Sequence, residues 1–421
     1  VAWGTSVSRR CWGWFLAFLA LAVLLGSGRP AFPDRSDAGR QVLMGKRIVE
    51  NGRDQARSTT GPQRPSDAGP DLFTEALGFE KVTIPGVPRY LWHNGCGPTA
   101  AGMVIGYWDG RGFDDLVPGD AGSVTPRTRT MVSSPGNYHD YCVSLDSSGP
   151  VRVDLSEEPT GDEHADDSLA DFMKTSQSYH GNNYGWSWNH HVDDALLGYV
   201  RRVNPAYDPS YARVYHGAAH PDTIWFALVR EVDAGHPAVF MVDSNGDGRS
   251  DHFVTAVGYD KNHNYGFYDT WDRREHWQPL APVRGGNKWG VHSAHFLALD
   301  GFDWTPGALS VEGSLTWTGV EPGERVAGTL RIANSGPPES GLFWRVAGLP
   351  DWGVWEWDPA EGLNLRPEEG VEKLTVSVIA PNRPGVTYRG TLVFVNAEKP
   401  DAERFEVEVS LATVERSPGK R

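Results

Sequence analysis

The chain has 421 residues, with 49 Gly, 30 Pro and 17 Trp, and 39% of it is hydrophobic. That length exceeds one ordinary domain and suits two, and the Gly and Pro content implies many turns rather than long helices. A formal charge of −15 excludes nucleic acid as the expected partner, because phosphate binding needs a positive footprint.

Taken in chain order, Arg9 and Arg10 precede the apolar run "CWGWFLAFLALAVLLGSG", which breaks at Gly26, Gly28 and Pro30. A charged start, an apolar core and small residues predict a signal peptide over residues 1–28, with a retained anchor as the rival. The expected location is therefore extracellular, or exported and surface-associated. Removing Cys11 with the signal leaves Cys96 and Cys142, which could pair in an oxidising compartment. Residues 29–75 are rich in Pro, Gly, Ser, Asp and Arg and lack a sustained apolar face, which predicts a disordered linker or pro-segment.

Residues 76–301 carry helix signals from Cys96 onward, in "DDSLADFMKTSQS" (Leu169, Phe172 and Met173 on one face) and in "DTIWFALVREVDAG", capped by Asp222 and stopped by Gly235. Strand signals follow in "HPAVFMV", "HFVTAVGY", "YGFYDTW" and "SAHFLAL". Helices first and strands later predict an α+β domain. Residues 305–417 alternate apolar and polar positions between turns, from "GALSVEGSLTWTG" to "RFEVEVSLATVE", which predicts an all-β, immunoglobulin-like sandwich. Its stretches "PDWGVWEWDPAEGLNLRPEEG" and "GVTYRGTLVFVNA" resemble a module appended to bacterial surface and secreted proteins, which implies a spacer or cell-surface role.

The chemistry centres on "HNGCGPTAAGMVIGYW". Pro98 fits a helix's first turn, and Ala100, Ala101, Met103, Val104, Tyr107 and Trp108 give it an apolar face, so Cys96 falls at a helix N-terminus that favours a thiolate. Gly95 and Gly97 leave room for a substrate's close approach. The alternatives for Cys96 are a disulfide to Cys142 and inert burial. A nucleophilic thiol needs a base and an orienting group. His252 heads the strand "HFVTAVGY", and Asp269 on the following strand can bond its imidazole and set the tautomer, with Asp272 as a second candidate for that role.

Together "GCGPTAAGMVIGYWDG", "DHFVTAVGYD" and "GFYDTWD" resemble the papain-like family typified by bacteriocin-processing, double-glycine-leader peptidases, and more closely its exported bacterial branch. The resemblance spans about residues 80–300. It implies a papain-like fold, with Cys96 as nucleophile, His252 as general base and acid, and Asp269 as orienter. One departure is the Gln that the family often places before the cysteine, absent from "RYLWHNGC". Asn94 or His93 would then supply one oxyanion donor and the Cys96 backbone N–H the other.

Between two strands lies "DSNGDGRSD", with Asp243, Asn245, Asp247, the Arg249 carbonyl and Asp251 at calcium-loop spacing and Gly248 permitting the turn; Val254 stands where an EF-hand has Glu. The competing reading is an acidic hairpin turn. Structural Ca2+ is thus the one cofactor expected, and no organic cofactor. His190 and His191, and His139 with Cys142, lack a convergent third metal ligand, while Trp186, Trp188 and Trp271 are candidates for a cleft wall. The expected function is a secreted, monomeric cysteine peptidase acting on peptide or protein substrates. Its rivals are an inactive papain-fold module that binds peptides or wall polymers, and an acyl transferase or amidase with the same triad.

Overall fold

Runs of apolar residues with two different periods build two packed regions. The computed structural model describes residues 47–49, 56–71, 80–135, 165–177, 180–182, 184–207, 211–216, 221–302 and 304–415. The expected signal peptide, Cys11, His139 and Cys142 lie outside these residues. Among the described residues, no helix is long and apolar enough to cross a membrane.

The first region surrounds an eight-stranded sheet. Its strands are β1 (Arg47–Val49), β2 (Lys81–Thr83), β3 (Tyr211–His216), β4 (Ala238–Asp243), β5 (His252–Asp260), β6 (Asn264–Tyr268), β7 (His276–Pro279) and β8 (Gly290–Ala298), in the order β1-β3-β8-β4-β5-β6-β7, with β2 also paired to β5. Only β1–β3 is parallel. Every residue of β4 and β5 is buried, which explains their nearly continuous apolar sequences.

Among the described residues, five α-helices accompany the sheet: α1 (Cys96–Asp109), α2 (Pro126–Val132), α3 (Leu169–Phe172), α4 (Val192–Val203) and α5 (Pro221–Ala234). Helix α1 is buried along its whole length, which its small residues allow. A Cβ at Gly97 would stand 2.7 Å from Met173 Cε and 3.1 Å from the Phe253 ring, so glycine there lets the helix start press onto β5. Further along, Thr255 Oγ1 donates to the Ala100 carbonyl at 3.0 Å. Gly235, with φ +83°, terminates α5 in the left-handed conformation that glycine adopts without strain.

The second region is a two-layer β-sandwich. One sheet runs β10 (Leu309–Glu312), β12 (Arg325–Asn334), β16 (Val371–Ile379), β14 (Val354–Asp358). The other runs β11 (Leu315–Val320), β18 (Arg404–Thr413), β17 (Thr387–Asn396), β13 (Ser340–Gly348), β15 (Glu361–Leu365), with the short β9 (Thr305–Pro306) beside β13. Leu330, Ile332, Leu374 and Val376 from the first sheet share one core with Leu342, Trp344, Phe394 and Leu411 from the second. Helix α5 holds the sandwich: Phe226 packs on Phe343 with centroids 4.7 Å apart, Arg230 pairs with Glu398 at 3.1 Å, and Asn364 donates to Asp233 at 2.8 Å.

Residues 56–71 differ from the sequence expectation of a disordered linker. They are an ordered, irregular stretch held by backbone bonds: Ser58 N–H donates to Ser187 O, Thr59 N–H to Asp251 O and Gly69 N–H to Ser244 O, each at 2.9 Å. These are main-chain contacts to distant residues, and composition does not encode them.

Candidate active site

Topology brings Cys96, His252 and Asp269 together. Cys96 is the first residue of α1, which packs on β5; His252 is the first residue of β5; and Asp269 directly follows β6, the antiparallel neighbour of β5, with Thr255 opposite Tyr268. All three are fully buried, and Cys96 is a free thiol.

The imidazole is held on both sides. His252 Nε2 lies 2.7 Å from the Asp269 backbone carbonyl. A carbonyl only accepts, so Nε2 carries the proton and Nδ1 is the basic nitrogen. Nδ1 lies 2.7 Å from Thr60 Oγ1, and the same hydroxyl lies 3.7 Å from Cys96 Sγ. The ring stacks on Trp271 at 3.7 Å and 10°. The expected contact from the Asp269 carboxylate is therefore made by its main chain. The carboxylate itself accepts the Trp271 and Asp272 N–H groups at 2.9 and 3.1 Å and pairs with Arg64 at 3.1 Å. The Asp269 side chain turns back into the turn that follows β6, while its carbonyl faces β5. Asp272 instead bonds His276 at 3.0 Å and Arg274 at 2.8 Å.

Burial dominates the electrostatics. It pushes the Cys96 thiol up, against the opposing effect of hydrogen bonding with the Phe253 backbone and with the Ser58 and Thr60 side chains. It pushes His252 down to about 4, against the Asp269 carbonyl and carboxylate. In this arrangement the pair is a neutral thiol beside a neutral imidazole, whereas its place at the start of α1 had pointed to a thiolate.

The expected oxyanion donors have other partners. Asn94 is buried and donates from Nδ2 to Ser133 Oγ at 2.9 Å. The His93 N–H donates to Thr99 Oγ1 at 3.0 Å, and burial, then the charge of Arg129, pushes its imidazole down to about 4. At the start of α1, Pro98 carries no N–H and the Thr99 N–H donates to the Gly95 carbonyl at 3.2 Å, which leaves the Cys96 and Gly97 N–H groups without intrahelical acceptors.

The acidic loop closes the β4–β5 hairpin, where Val242 faces His252. Asp243 accepts the Gly246 and Gly248 N–H groups, each at 2.7 Å; Asn245 accepts Asp247 N–H at 3.0 Å, and Asp247 accepts Arg249 N–H at 2.8 Å. Asp251 accepts both the N–H and the hydroxyl of Ser244 at 2.8 Å. Burial and then the neighbouring carboxylates push Asp251 up to about 6. Asp269, Asp272 and His276 also converge, with ligand atoms within 4.8 Å of one another. Burial would lower His276, but bonds to Asp269 and Asp71 prevail and raise it to about 10. Both of its ring nitrogens face carboxylates, Asp71 at 2.7 Å and Asp272 at 3.0 Å. His190 stacks with Trp188, and His191 bonds the Met173 carbonyl at 3.1 Å.

Sequence reasoning missed Ser58, Thr60 and Arg64, which no motif marks. The signal it could have used is the density of small hydroxyl residues in "RSTTGPQR", unusual for a tether only if the stretch lies against something.

A family model, the Peptidase_C39 like family, matches residues 84–296, about half of the chain; Cys96, His252 and Asp269 fall inside the match, and residues 56–71 and the sandwich fall outside it. No curated protein matches the chain. Similar solved structures include the ASH/PapD-like domain of human CEP192, at 17% identity and TM-score 0.22, covering 28% of this chain and 92% of that one. A protein of unknown function from Porphyromonas gingivalis, at 23% identity and TM-score 0.23, is matched over 27% of this chain and 51% of that one. The SrpA adhesin from Streptococcus sanguinis, at 15% identity and TM-score 0.19, is matched over 27% and 59%. Scores this low carry no argument about this chain.

Proposed function

The chain belongs to the Peptidase_C39 like family, and from that premise we propose that it is an exported cysteine peptidase whose papain-like domain hydrolyses peptide bonds through Cys96 and His252. The observation that carries this reading is the fixed tautomer: the bond from His252 Nε2 to the Asp269 carbonyl leaves Nδ1 basic and turned toward the hydroxyl that touches Cys96 Sγ. Nδ1 takes the thiol proton, and the thiolate attacks the scissile carbonyl carbon. The oxygen of the tetrahedral adduct faces the N–H groups at the start of α1. Collapse breaks the C–N bond, the leaving amine takes the proton from His252, and water then hydrolyses the thioester. In this scheme the third role belongs to the Asp269 main chain.

Two further parts belong to the same reading. The apolar run of residues 11–28 directs export, and the immunoglobulin-like sandwich is a spacer at the cell surface. The Asp243–Asp251 loop carries oxygen ligands at calcium-loop spacing in the sequence, and a hard cation such as Ca2+ bound there would steady the strand carrying His252; in the structure its carboxylates accept N–H and O–H groups of the loop itself.

A binding module without turnover is favoured by one observation, the "RYLWHNGC" stretch without Gln, in which Asn94 donates to Ser133. Turnover of a fluorogenic peptide library separates the two. Cleavage that falls by ~10²-fold or more in both Cys96→Ser and His252→Ala is expected of the peptidase. Peptide binding that survives in both variants, with no cleavage by any form of the chain, would establish the module.

A further inference from the structure

The 56–71 segment runs through the candidate site rather than beside it. Arg57 and Trp188 form an antiparallel bridge, with Ser58 N–H donating to Ser187 O and Asn189 N–H donating to Ala56 O, both at 2.9 Å. On the opposite bank, the Thr59 N–H donates to Asp251 O, next to His252. An extended peptide gripped by backbone on two banks is how a groove takes a peptide by strand addition, largely independently of its sequence. At the centre, Thr60 Oγ1 contacts both Cys96 Sγ and His252 Nδ1, and Trp271 Nε1 donates to the Gly61 carbonyl at 3.0 Å.

Beyond the dyad, the segment is anchored by Arg64 on Asp269 at 3.1 Å, by Asp71 on His276 at 2.7 Å, and by Trp289 Nε1 on the Gly69 carbonyl at 3.0 Å. Before the dyad, the Arg57 guanidinium lies 4.6 Å from the centre of the Trp186 ring and 4.8 Å from that of Trp188. A cation between two indoles is a defined contact for a basic side chain. None of this segment lies within the family match, which begins at residue 84.

We infer that residues 56–71 are an autoinhibitory strap filling the substrate groove of the chain's own active site, and that the vacated groove takes an extended peptide with a basic side chain on Trp186 and Trp188. The inference rests on the peptidase reading for its biological meaning, while the occlusion itself does not require turnover. The strap meets the sulfur through the Thr60 and Ser58 side-chain hydroxyls. By excluding water it also keeps thiol and imidazole neutral, and its departure lets the ion pair form.

The test uses the full chain and two readouts, the iodoacetamide alkylation rate of Cys96, followed by mass spectrometry, and peptide hydrolysis. The double variant Arg57→Ala/Arg64→Ala should alkylate about tenfold faster or more at neutral pH, the scale of losing cation–π contacts and a part-buried ion pair. Thr60→Val, which keeps the shape but removes the hydroxyl, is the second variant, and thermal unfolding checks that both fold. A synthetic peptide of residues 56–71 should slow alkylation of the double variant again, and the same peptide with Arg57 replaced by Glu should not. Alkylation of the wild type as fast as that of both folded variants, unaffected by the peptide, would overturn the strap. Faster alkylation without hydrolysis in any form would keep the strap and remove the peptidase reading. Full hydrolysis by the wild type, unchanged in the variants, would do the reverse.

Discussion

At Asp269 the position and the chemistry part company. The sequence identified the residue, but its carbonyl faces His252 while its carboxylate holds Arg64. In a triad that uses the side chain, Asp to Asn costs about 10⁴ in kcat. Asp269→Asn here should change kcat by less than about tenfold once the groove is open, because the main-chain acceptor remains. It should also speed Cys96 alkylation, because the Arg64 anchor weakens. His276 gives a pH signature with a definite sign. Its folded value is about 10, and an unfolded histidine titrates near about 6.5. The stability it contributes is therefore complete below the unfolded value and is lost as pH rises through about 10. Denaturant unfolding at a series of pH values should show a gap between wild type and His276→Gln that narrows over that window. A constant gap would mean that His276 is not an imidazolium.

Among the elements, legibility followed how local each signal was. The start of α1, the α5 stop at Gly235, strands β4 to β6 and most of the sandwich were readable, because period and punctuation lie within each stretch. Helix α4 is hard to read although Val192, Ala195, Leu196, Tyr199 and Val200 are all buried on it, because the turn Asn189–His191 runs straight into it and no side chain caps its start. The pair β14 and β15 was hidden in a stretch dense in Trp, Asp and Gly. Residues 56–71 were illegible in principle: their order comes from partners such as Ser187, Ser244 and Asp251, far away in sequence. The β4–β5 loop yields the prediction for this scale. If Ca2+ binds there, added calcium raises the melting temperature of the wild type and not of Asp243→Asn, since ligand bound only by the folded state stabilises by mass action. Equal midpoints with calcium and with chelator in a differential scanning experiment would leave the loop as a plain acidic turn.

Across the whole molecule, α5 joins the two regions, because Phe343 and Ala397 from the sandwich pack into the core that α5 shares with the large sheet. Phe226 reaches Phe343, and Arg230 pairs with Glu398 while lying 3.6 Å over Trp304. Burial pushes Glu398 up to about 7 against the pull of Arg230, so removing the arginine leaves a buried acid that prefers its neutral form. Breaking such a pair from one side costs about 3–5 kcal/mol. Arg230→Ala should therefore split calorimetric unfolding into two transitions, the sandwich and the sheet-and-helix region melting separately. A single transition shifted as a whole would mean that the apolar contact alone couples them.

The strap's covalent attachment adds a quantitative consequence. Inhibitor and groove share one chain, so the strap faces its site at an effective concentration set by the linkage, of millimolar order for a short tether, however dilute the protein. Latency should thus be indifferent to dilution, and a competing peptide must bind well below that level to displace it. A single backbone cut on each side of residues 56–71 would turn the strap into an ordinary bimolecular ligand that diffuses away. Two hydrolysed bonds would then act as a one-way latch on the groove.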